Sequence, residues 1–251
     1  MKKIFILFVF LLLKVGVYGI DYNETFSKAN DAYTKSKYDT AITLYKSIIL
    51  AGKESAEVYF NMGNSFFKQK DYANAILYYE RAHQLLPGDD DINFNLQLAQ
   101  TMVVDKINSI PEFFVKRWWR IFSELFSSNT WAFLSILMFV FSLLILLVYL
   151  FAMRVWLKKL SFYIGSLFIL ACIVSFLNSY SIKQINTSKT GAIVMSASVT
   201  LKSSPNEGGT DLFVLHEGAK VQVIDNVGEW LKIKIADGNT GWLLKNNIEE
   251  I

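Results

Sequence analysis

Two long apolar segments constrain this chain more than any other feature. Residues 131–153 contain no charged side chain, and residues 160–180 form a second uncharged run rich in Leu, Phe and Ile. About 20 apolar residues suffice for a helix to cross a bilayer. With 53% hydrophobic residues overall, the chain is also too apolar for an ordinary soluble protein. We therefore predict two transmembrane helices, 131–153 and 160–180, joined by a cytoplasmic turn at 154–159.

Positive charges near these segments indicate an orientation. The turn carries Arg154, Lys158 and Lys159, and such charges in short loops favour the cytoplasmic side. Two spans return the chain to its starting side, so both flanking regions should lie outside. Cations at 116, 117 and 120, on that outer side, oppose this orientation only weakly because they lie well before the span. We predict a bacterial inner-membrane protein with two passes and both folded domains periplasmic.

The N-terminus supports the same orientation. Lys2 and Lys3 precede an apolar run at 4–13 that is too short to span a bilayer, and small residues follow near Ile20. This pattern is typical of a secretory signal peptide at 1–19. An uncleaved anchor helix is the alternative.

An internal repeat occupies residues 21–104, which we predict to be an all-α module. Apolar and small residues recur with the spacing of tetratricopeptide repeats, roughly 34 residues per unit. We place the repeats near 25–54 and 59–88, with a capping helix at 91–103. The clearest copy is carried by Tyr59, Met62, Gly63, Phe66, Ala75, Tyr79, Ala82 and Pro87.

The acidic run at 89–91 opens the capping helix. Three consecutive aspartates can be read as a metal site or as a helix N-cap with a favourable dipole interaction, and we prefer the N-cap. The helix that follows is expected to pack its apolar residues, Phe94 among them.

Residues 105–130 mix aromatic and basic side chains, and Pro111 separates them from the repeats. Indole rings favour the head-group region of a membrane, where nearby cations can reach phosphates. We predict an amphipathic linker lying on the membrane surface, with a further soluble helix packed on the repeats as the alternative. The expected interfacial residues are Lys116, Arg117, Trp118, Trp119 and Arg120.

After a polar linker, the hydrophobic pattern changes to the alternation of β-strands. Short strands are expected near 192–195, 199–201, 212–215, 221–224, 230–235 and 242–244, with turn signals between them. Strands this short and numerous can close into a small barrel, which would remove exposed sheet edges. Residues 190–251 are therefore predicted to form an all-β SH3-like barrel, and segments 199–205, 215–218, 228–233 and 237–243 resemble bacterial SH3 domains.

The chain as a whole resembles the BatE proteins of Bacteroides aerotolerance operons. The segments at 91–99, 104–107 and 111–119 are similar to the linking region of that family, whose order is signal peptide, tetratricopeptide repeats, paired membrane helices and SH3 domain. The resemblance implies partnership with von Willebrand factor A-domain membrane proteins and a MoxR-type ATPase.

Few residues could support catalysis. His83 and His216 are the only histidines, and we read them as a repeat surface residue and a turn-stabilising residue. Cys172 lies in an apolar run and is expected to act as a small apolar side chain. No nucleophile elbow, phosphate loop or metal-binding spacing occurs. We expect no enzyme activity, cofactor or metal, and the net charge of +3 gives no nucleic-acid signal.

Binding surfaces are the remaining expectation. Polar residues on the first helix of each repeat usually line a concave peptide groove, although ordinary solvated surface is the alternative. The groove candidates are Asn30, Asn61, Asn64, Lys68 and Asn95. On the SH3-like domain, Trp230 and Trp242 could form a ligand surface or pack in the core.

Three functional hypotheses follow. The first is a membrane-anchored, periplasm-facing scaffold for protein–protein interaction with membrane and periplasmic proteins. The second is a cell-envelope module that binds peptidoglycan through the SH3-like domain. A signalling sensor is disfavoured because the predicted cytoplasmic turn is too short to form an output domain.

Overall fold

The computed structural model describes residues 22–107, 113–187 and 190–251. The chain divides into two units, Met1–Glu54 and Ser55–Ile251, which we describe separately. The expected signal peptide at 1–19 and the helix-breaking Pro111 lie outside the described residues.

The first unit contains a helical hairpin made of α1 (Tyr22–Thr34) and α2 (Tyr38–Leu50). Ala29 and Ala41 are fully buried, because small side chains allow the two helices to approach closely. The hydroxyl of Tyr45 donates to Asn30 Oδ1 at 2.6 Å. This hairpin corresponds to the expected first repeat.

The second unit begins with α3 (Ala56–Lys68), α4 (Tyr72–Leu85) and α5 (Asp90–Thr101). Each helix is capped by a side-chain oxygen that accepts from a backbone N–H three residues later: Ser55, Asp71 and Asp89 are the caps. Such caps satisfy donors that have no partner inside the helix. The N-cap interpretation of 89–91 is thus confirmed at Asp89, and the described residues contain no acidic, His or Cys cluster that could hold a metal.

The crossing of α3 and α4 depends on Gly63. A Cβ atom at this position would lie 2.7 Å from the ring of Tyr79. Tyr79 is itself buried in a cluster with Ala75 and Ile76. The absence of a side chain at 63 therefore lets a large aromatic residue fill the repeat core.

Two apolar helices follow the amphipathic helix α6 (Phe114–Glu124). They are α7 (Ser128–Phe151) and α8 (Val155–Thr187), and both are long and apolar enough to cross a membrane. The connection between them, residues 152–154, is shorter than the turn expected at 154–159. Helix α8 starts before the expected 160 because Lys158 and Lys159 are exposed and are good helix formers.

Small and polar side chains join α7 to α8. Ser128 and Ser179 each donate a hydroxyl to the other's carbonyl, at 3.0 and 2.9 Å, and Ser135 donates to the Cys172 carbonyl at 3.2 Å. Most of the large apolar side chains of both helices point outward and are exposed. This distribution suits helices that pack through small residues and present apolar residues to lipid.

The C-terminal domain is a seven-stranded antiparallel sheet with the order β3-β2-β6-β5-β4-β1-β7. Its strands are β1 (Gly191–Val194), β2 (Ser198–Lys202), β3 (Asp211–His216), β4 (Lys220–Val227), β5 (Trp230–Lys234), β6 (Thr240–Leu244) and β7 (Ile248–Glu250). Strand β7 was not expected, because Asn-Asn-Ile-Glu-Glu lacks hydrophobic alternation. The expected closure without edges is also corrected: β3 and β7 stand at the two ends of the sheet.

Replacing Gly63 by Ala should lower the free energy of unfolding by about 1–3 kcal/mol, because the added methyl group overlaps the Tyr79 ring. Denaturant unfolding of the full chain in detergent, followed by circular dichroism, measures the effect. Gly208→Ala is the control, since the nearest atom to its Cβ is 3.5 Å away. Equal stability of the two variants would contradict the close crossing.

Candidate functional site

The SH3-like domain shares a core with the helices of the second unit. Ile193 of β1 is fully buried in a cluster that also contains Ile76, Leu96 and Ala99. The partly buried Val103, Met195 and Ile251 pack around it. An apolar contact from a strand to two helices joins the two parts into one folded body.

A charged pair reinforces this contact. Lys220 Nζ donates to Glu80 Oε2 at 2.7 Å, and only 5% of the Glu80 side chain is exposed, against 51% of Lys220. A carboxylate this buried needs a charged partner to offset its lost hydration. The pair therefore ties β4 to α4 at a specific position.

Arg81, the neighbour of Glu80, caps the sheet edge formed by β7. Its Nη2 atom donates to the Glu250 carbonyl at 2.6 Å and lies 3.4 Å from Glu249 Oε1. The guanidinium also lies 5.2 Å from the centre of the Tyr78 ring. Burial raises the pKa of Tyr78, Arg81 opposes the rise and Glu249 adds to it.

The opposite sheet edge is capped by Asp105, which follows α5. Its carboxylate accepts the backbone N–H of His216 at 2.6 Å and lies 2.8 Å from His216 Nδ1. His216 stabilises its own turn through its carbonyl, which accepts from the Ala219 N–H at 3.3 Å, while its side chain pairs with Asp105 from outside the SH3-like domain. Each open edge of the sheet is thus contacted by a residue from outside the SH3-like domain, Arg81 at β7 and Asp105 at β3.

The turn after His216 also touches the helical part. Gly218 has a φ of +84°, and a Cβ atom there would overlap Val103. Nearby Ile107 packs against the core of the SH3-like domain. Only glycine suits this position, since it combines a left-handed backbone with a close approach.

Two of the groove candidates, Asn64 on α3 and Asn95 on α5, form a hydrogen-bond network with Tyr79 of α4. Asn64 Oδ1 accepts from the Tyr79 hydroxyl at 2.7 Å and from Asn95 Nδ2 at 2.9 Å. Asn30 and Tyr45 repeat the first of these contacts 34 positions earlier, in the first unit. Asn64 and Asn30 therefore help to hold their own repeats, and the structure brings Asn64 and Asn95 together.

The remaining groove candidates differ in exposure. Asn61 is half-buried, whereas Lys68 is exposed at the end of α3. Phe94, next to Asn95, was expected to pack but is 65% exposed. This apolar residue was missed as a groove candidate, although its place beside polar Asn93 and Asn95 is the signal that could have identified it.

The two tryptophans of the SH3-like domain have different environments. Trp242 is 8% exposed and its ring lies 5.9 Å from Lys232 Nζ, which fits the core-packing alternative. Trp230 begins β5 and is half-buried.

The five interfacial candidates, 116–120, all lie on α6 and are exposed. The two other residues singled out from the sequence have no catalytic setting in the described part of the chain. Cys172 is a free, half-buried thiol. Nδ1 of His83 is buried and has no hydrogen-bond partner among the described residues.

Comparison with known proteins identifies two domains. A family model of the tetratricopeptide repeat matches residues 56–89, and a model of the bacterial SH3 domain matches residues 197–249. Both are typically non-catalytic binding modules, used for protein–protein interaction or peptidoglycan binding. The first match covers α3 and α4, and the second begins just before β2.

Curated relatives are similar over a short stretch. BBSome complex member BBS4 of Bos taurus is 35% identical over 79 residues, which is 32% of this chain and 15% of that protein. The Mus musculus protein of the same name is 38% identical over 66 residues, 26% of this chain and 13% of that protein. The chain therefore spans a small part of these relatives.

Lys220→Met should lower the free energy of unfolding by about 2 kcal/mol, because Glu80 is left buried without its charged partner. Urea unfolding of the full chain in detergent measures this loss. Lys28→Met is the control, since its ion pair with Glu24 is more than half exposed on both sides and is worth at most about 1 kcal/mol.

Adding Glu80→Gln to Lys220→Met should recover part of the lost stability. Equal stability of Lys220→Met and Lys28→Met would show that the pair does not support the docking.

Proposed function

We propose that this chain is a membrane-anchored scaffold whose repeat and SH3-like domain bind protein partners on the periplasmic side of a bacterial inner membrane. Two domains of binding type support this role. The helices α7 and α8 supply the anchor. The proposed role is binding alone and includes no catalytic step.

The observation that carries the topology is the contact between Glu80 and Lys220. These residues flank the apolar hairpin in sequence, yet their side chains meet at 2.7 Å. A bilayer cannot separate two groups in direct contact. If α7 and α8 cross the membrane, the repeat and the SH3-like domain therefore share one side, as two spans predict. The positive charges expected in the turn at 154–159 favour the periplasm for that side.

The proposed binding surface lies on α3 and α5. Docking of the SH3-like domain uses Glu80 and Arg81 of α4, and it leaves Lys68 and Phe94 exposed. The bonded pair of Asn64 and Asn95 lies on the same two helices. An apolar anchor beside amide groups suits a peptide that offers one hydrophobic side chain and backbone hydrogen bonds.

The partners we propose come from the resemblance stated above. They are von Willebrand factor A-domain membrane proteins, acting together with a MoxR-type ATPase in an aerotolerance-type complex. The curated relatives carry the name of complex members, which agrees with an assembly role for the repeat. Anchoring two weak sites on one chain raises their effective concentration, so useful avidity needs no strong single site.

Peptidoglycan binding by the SH3-like domain is the second candidate. The match to a bacterial SH3 domain favours it, and half-buried Trp230 is the residue we propose for the contact. Sedimentation of the detergent-solubilised full chain with purified cell wall tests it. The full chain is required because isolated residues 190–251 would expose Ile193.

Cysteine labelling in spheroplasts tests the topology. In a Cys172→Ser background, we expect Gln100→Cys and Glu207→Cys to react with a membrane-impermeant maleimide, because both positions are exposed on the folded body. Lys158→Cys should react only after permeabilisation. Labelling of 100 and 207 from opposite sides, or recovery of the chain in the soluble fraction, would refute the anchored scaffold.

Groove variants test the binding surface. We expect Lys68→Glu and Phe94→Ser together to reduce co-purification of a co-expressed von Willebrand A-domain membrane protein roughly tenfold, a change typical of losing a central contact. Quantitative immunoblotting after detergent extraction measures the ratio of the two proteins.

The matched control for this test is Lys234→Glu with Leu212→Ser. This pair exchanges a cation for Glu and an exposed apolar residue for Ser, both on the SH3-like domain. Equal co-purification of both double variants would rule out the groove as the binding surface, and absence of any association with the unchanged chain would rule out the proposed partner.

A further inference from the structure

Helix α6 has two chemically distinct faces. Successive residues of a helix turn by about 100°, which places its apolar residues on one continuous side. Every one of them is at least 38% exposed, and Trp118 is 72% exposed. A water-soluble surface rarely keeps such a patch uncovered. The apolar residues are Phe114, Val115, Trp118, Trp119, Ile121 and Phe122.

The other face of α6 is positively charged. It carries Lys116, Arg117 and Arg120, together with Ser123 and Glu124. Arg120 Nη1 pairs with Glu124 Oε1 at 3.2 Å, so one carboxylate stands against three cations. The excess positive charge is complementary to an anionic surface.

Contacts fix α6 at one end of the apolar hairpin. Ser123 donates to Asn178 Oδ1 at 2.6 Å, and Trp131 Nε1 donates to the Ser123 carbonyl at 2.9 Å. The rings of Phe122 and Trp131 lie 5.1 Å apart. These contacts join α6 to the start of α7 and to α8, at the end of the hairpin remote from the turn at 152–154.

This end of the hairpin coincides with a membrane boundary. The 24 residues of α7 span about 36 Å, slightly more than a hydrocarbon core of about 30 Å. Its first residues therefore lie at head-group level when the helix crosses the bilayer. Helix α6, which is hydrogen-bonded to Asn178 at this end of the hairpin, therefore lies at the head-group level as well.

We propose that α6 lies in the plane of the bilayer and binds anionic phospholipid head groups. Its aromatic face enters the boundary between head groups and acyl chains, and Lys116, Arg117 and Arg120 extend to the phosphates. The proposal rests on the membrane anchorage proposed above. It adds a lipid class as a ligand and explains why this apolar face needs no protein partner.

A spin label at Val115→Cys, in a Cys172→Ser background, tests the proposal. The full chain is reconstituted in phosphatidylcholine vesicles with increasing phosphatidylglycerol, and the accessibility of the label to oxygen and to a polar nickel complex gives its depth. We expect the label to move into the apolar layer as phosphatidylglycerol increases. Replacing Lys116 and Arg117 by Gln should raise the phosphatidylglycerol fraction at which half of this change occurs at least threefold. Each cation strengthens the attraction to anionic lipid about fivefold.

The control removes the same charge elsewhere, with Lys232→Gln and Lys234→Gln on the SH3-like domain, and should leave that phosphatidylglycerol fraction unchanged. A label that stays in water at every composition would overturn the proposal, as would equal depth in both lipids. A label shielded from both relaxants in every lipid would indicate a covering protein instead.

Carbonate extraction of the same vesicles separates this outcome from failure of the anchor. A chain that is released by carbonate contradicts the proposed function itself. A chain that resists extraction while its label stays in water contradicts only the lipid-binding helix.

Discussion

Packing of β1 against α4 and α5 is the contact on which the rest of the second unit depends. Ile193 completes a helical core, and the buried carboxylate of Glu80 can be tolerated there only because Lys220 reaches it from β4. Residues 55–107 and 190–251 consequently form a single folded body that contains both matched domains. The apolar hairpin is inserted in the sequence between the two parts of that body. The start of α7 lies close to the last part of α8, where Ser128 and Ser179 are hydrogen-bonded.

The contacts at both sheet edges hinder this body from pairing its strands with those of other chains. A sheet with free outer strands can pair with other chains, yet β7 meets Arg81 and β3 meets Asp105. Arg81 of α4 and Asp105, which follows α5, thus cover the edges that a closed barrel would pair. The binding role we propose is correspondingly assigned to α3 and α5, where Lys68 and Phe94 are left exposed.

Local patterns in the sequence predicted the elements well, and tertiary contacts poorly. Spacing of small and aromatic residues located the repeat around Gly63, and the absence of charge located both apolar helices. Strand β7 was missed because it has no local signal, and the exposure of Phe94 was missed although its polar neighbours Asn93 and Asn95 are such a signal. The pairing of Glu80 with Lys220 joins residues 140 positions apart, so no window along the chain could reveal it. The sequence indicated which polar residues could line the groove. The hydrogen bond between Asn64 and Asn95 was visible only in the structure.

The two parts of the folded body, residues 55–107 and 190–251, are synthesised at different times. Helices α3 to α5 emerge from the ribosome before the hairpin, while β1 emerges after it. Until then, Ile76, Leu96 and Ala99 lack the strand that covers them, and the Glu80 carboxylate lacks its cation. If the hairpin enters lipid as proposed, it does so before the repeat core is complete, and the exposed apolar residues of the nascent chain must be protected from aggregation during that interval.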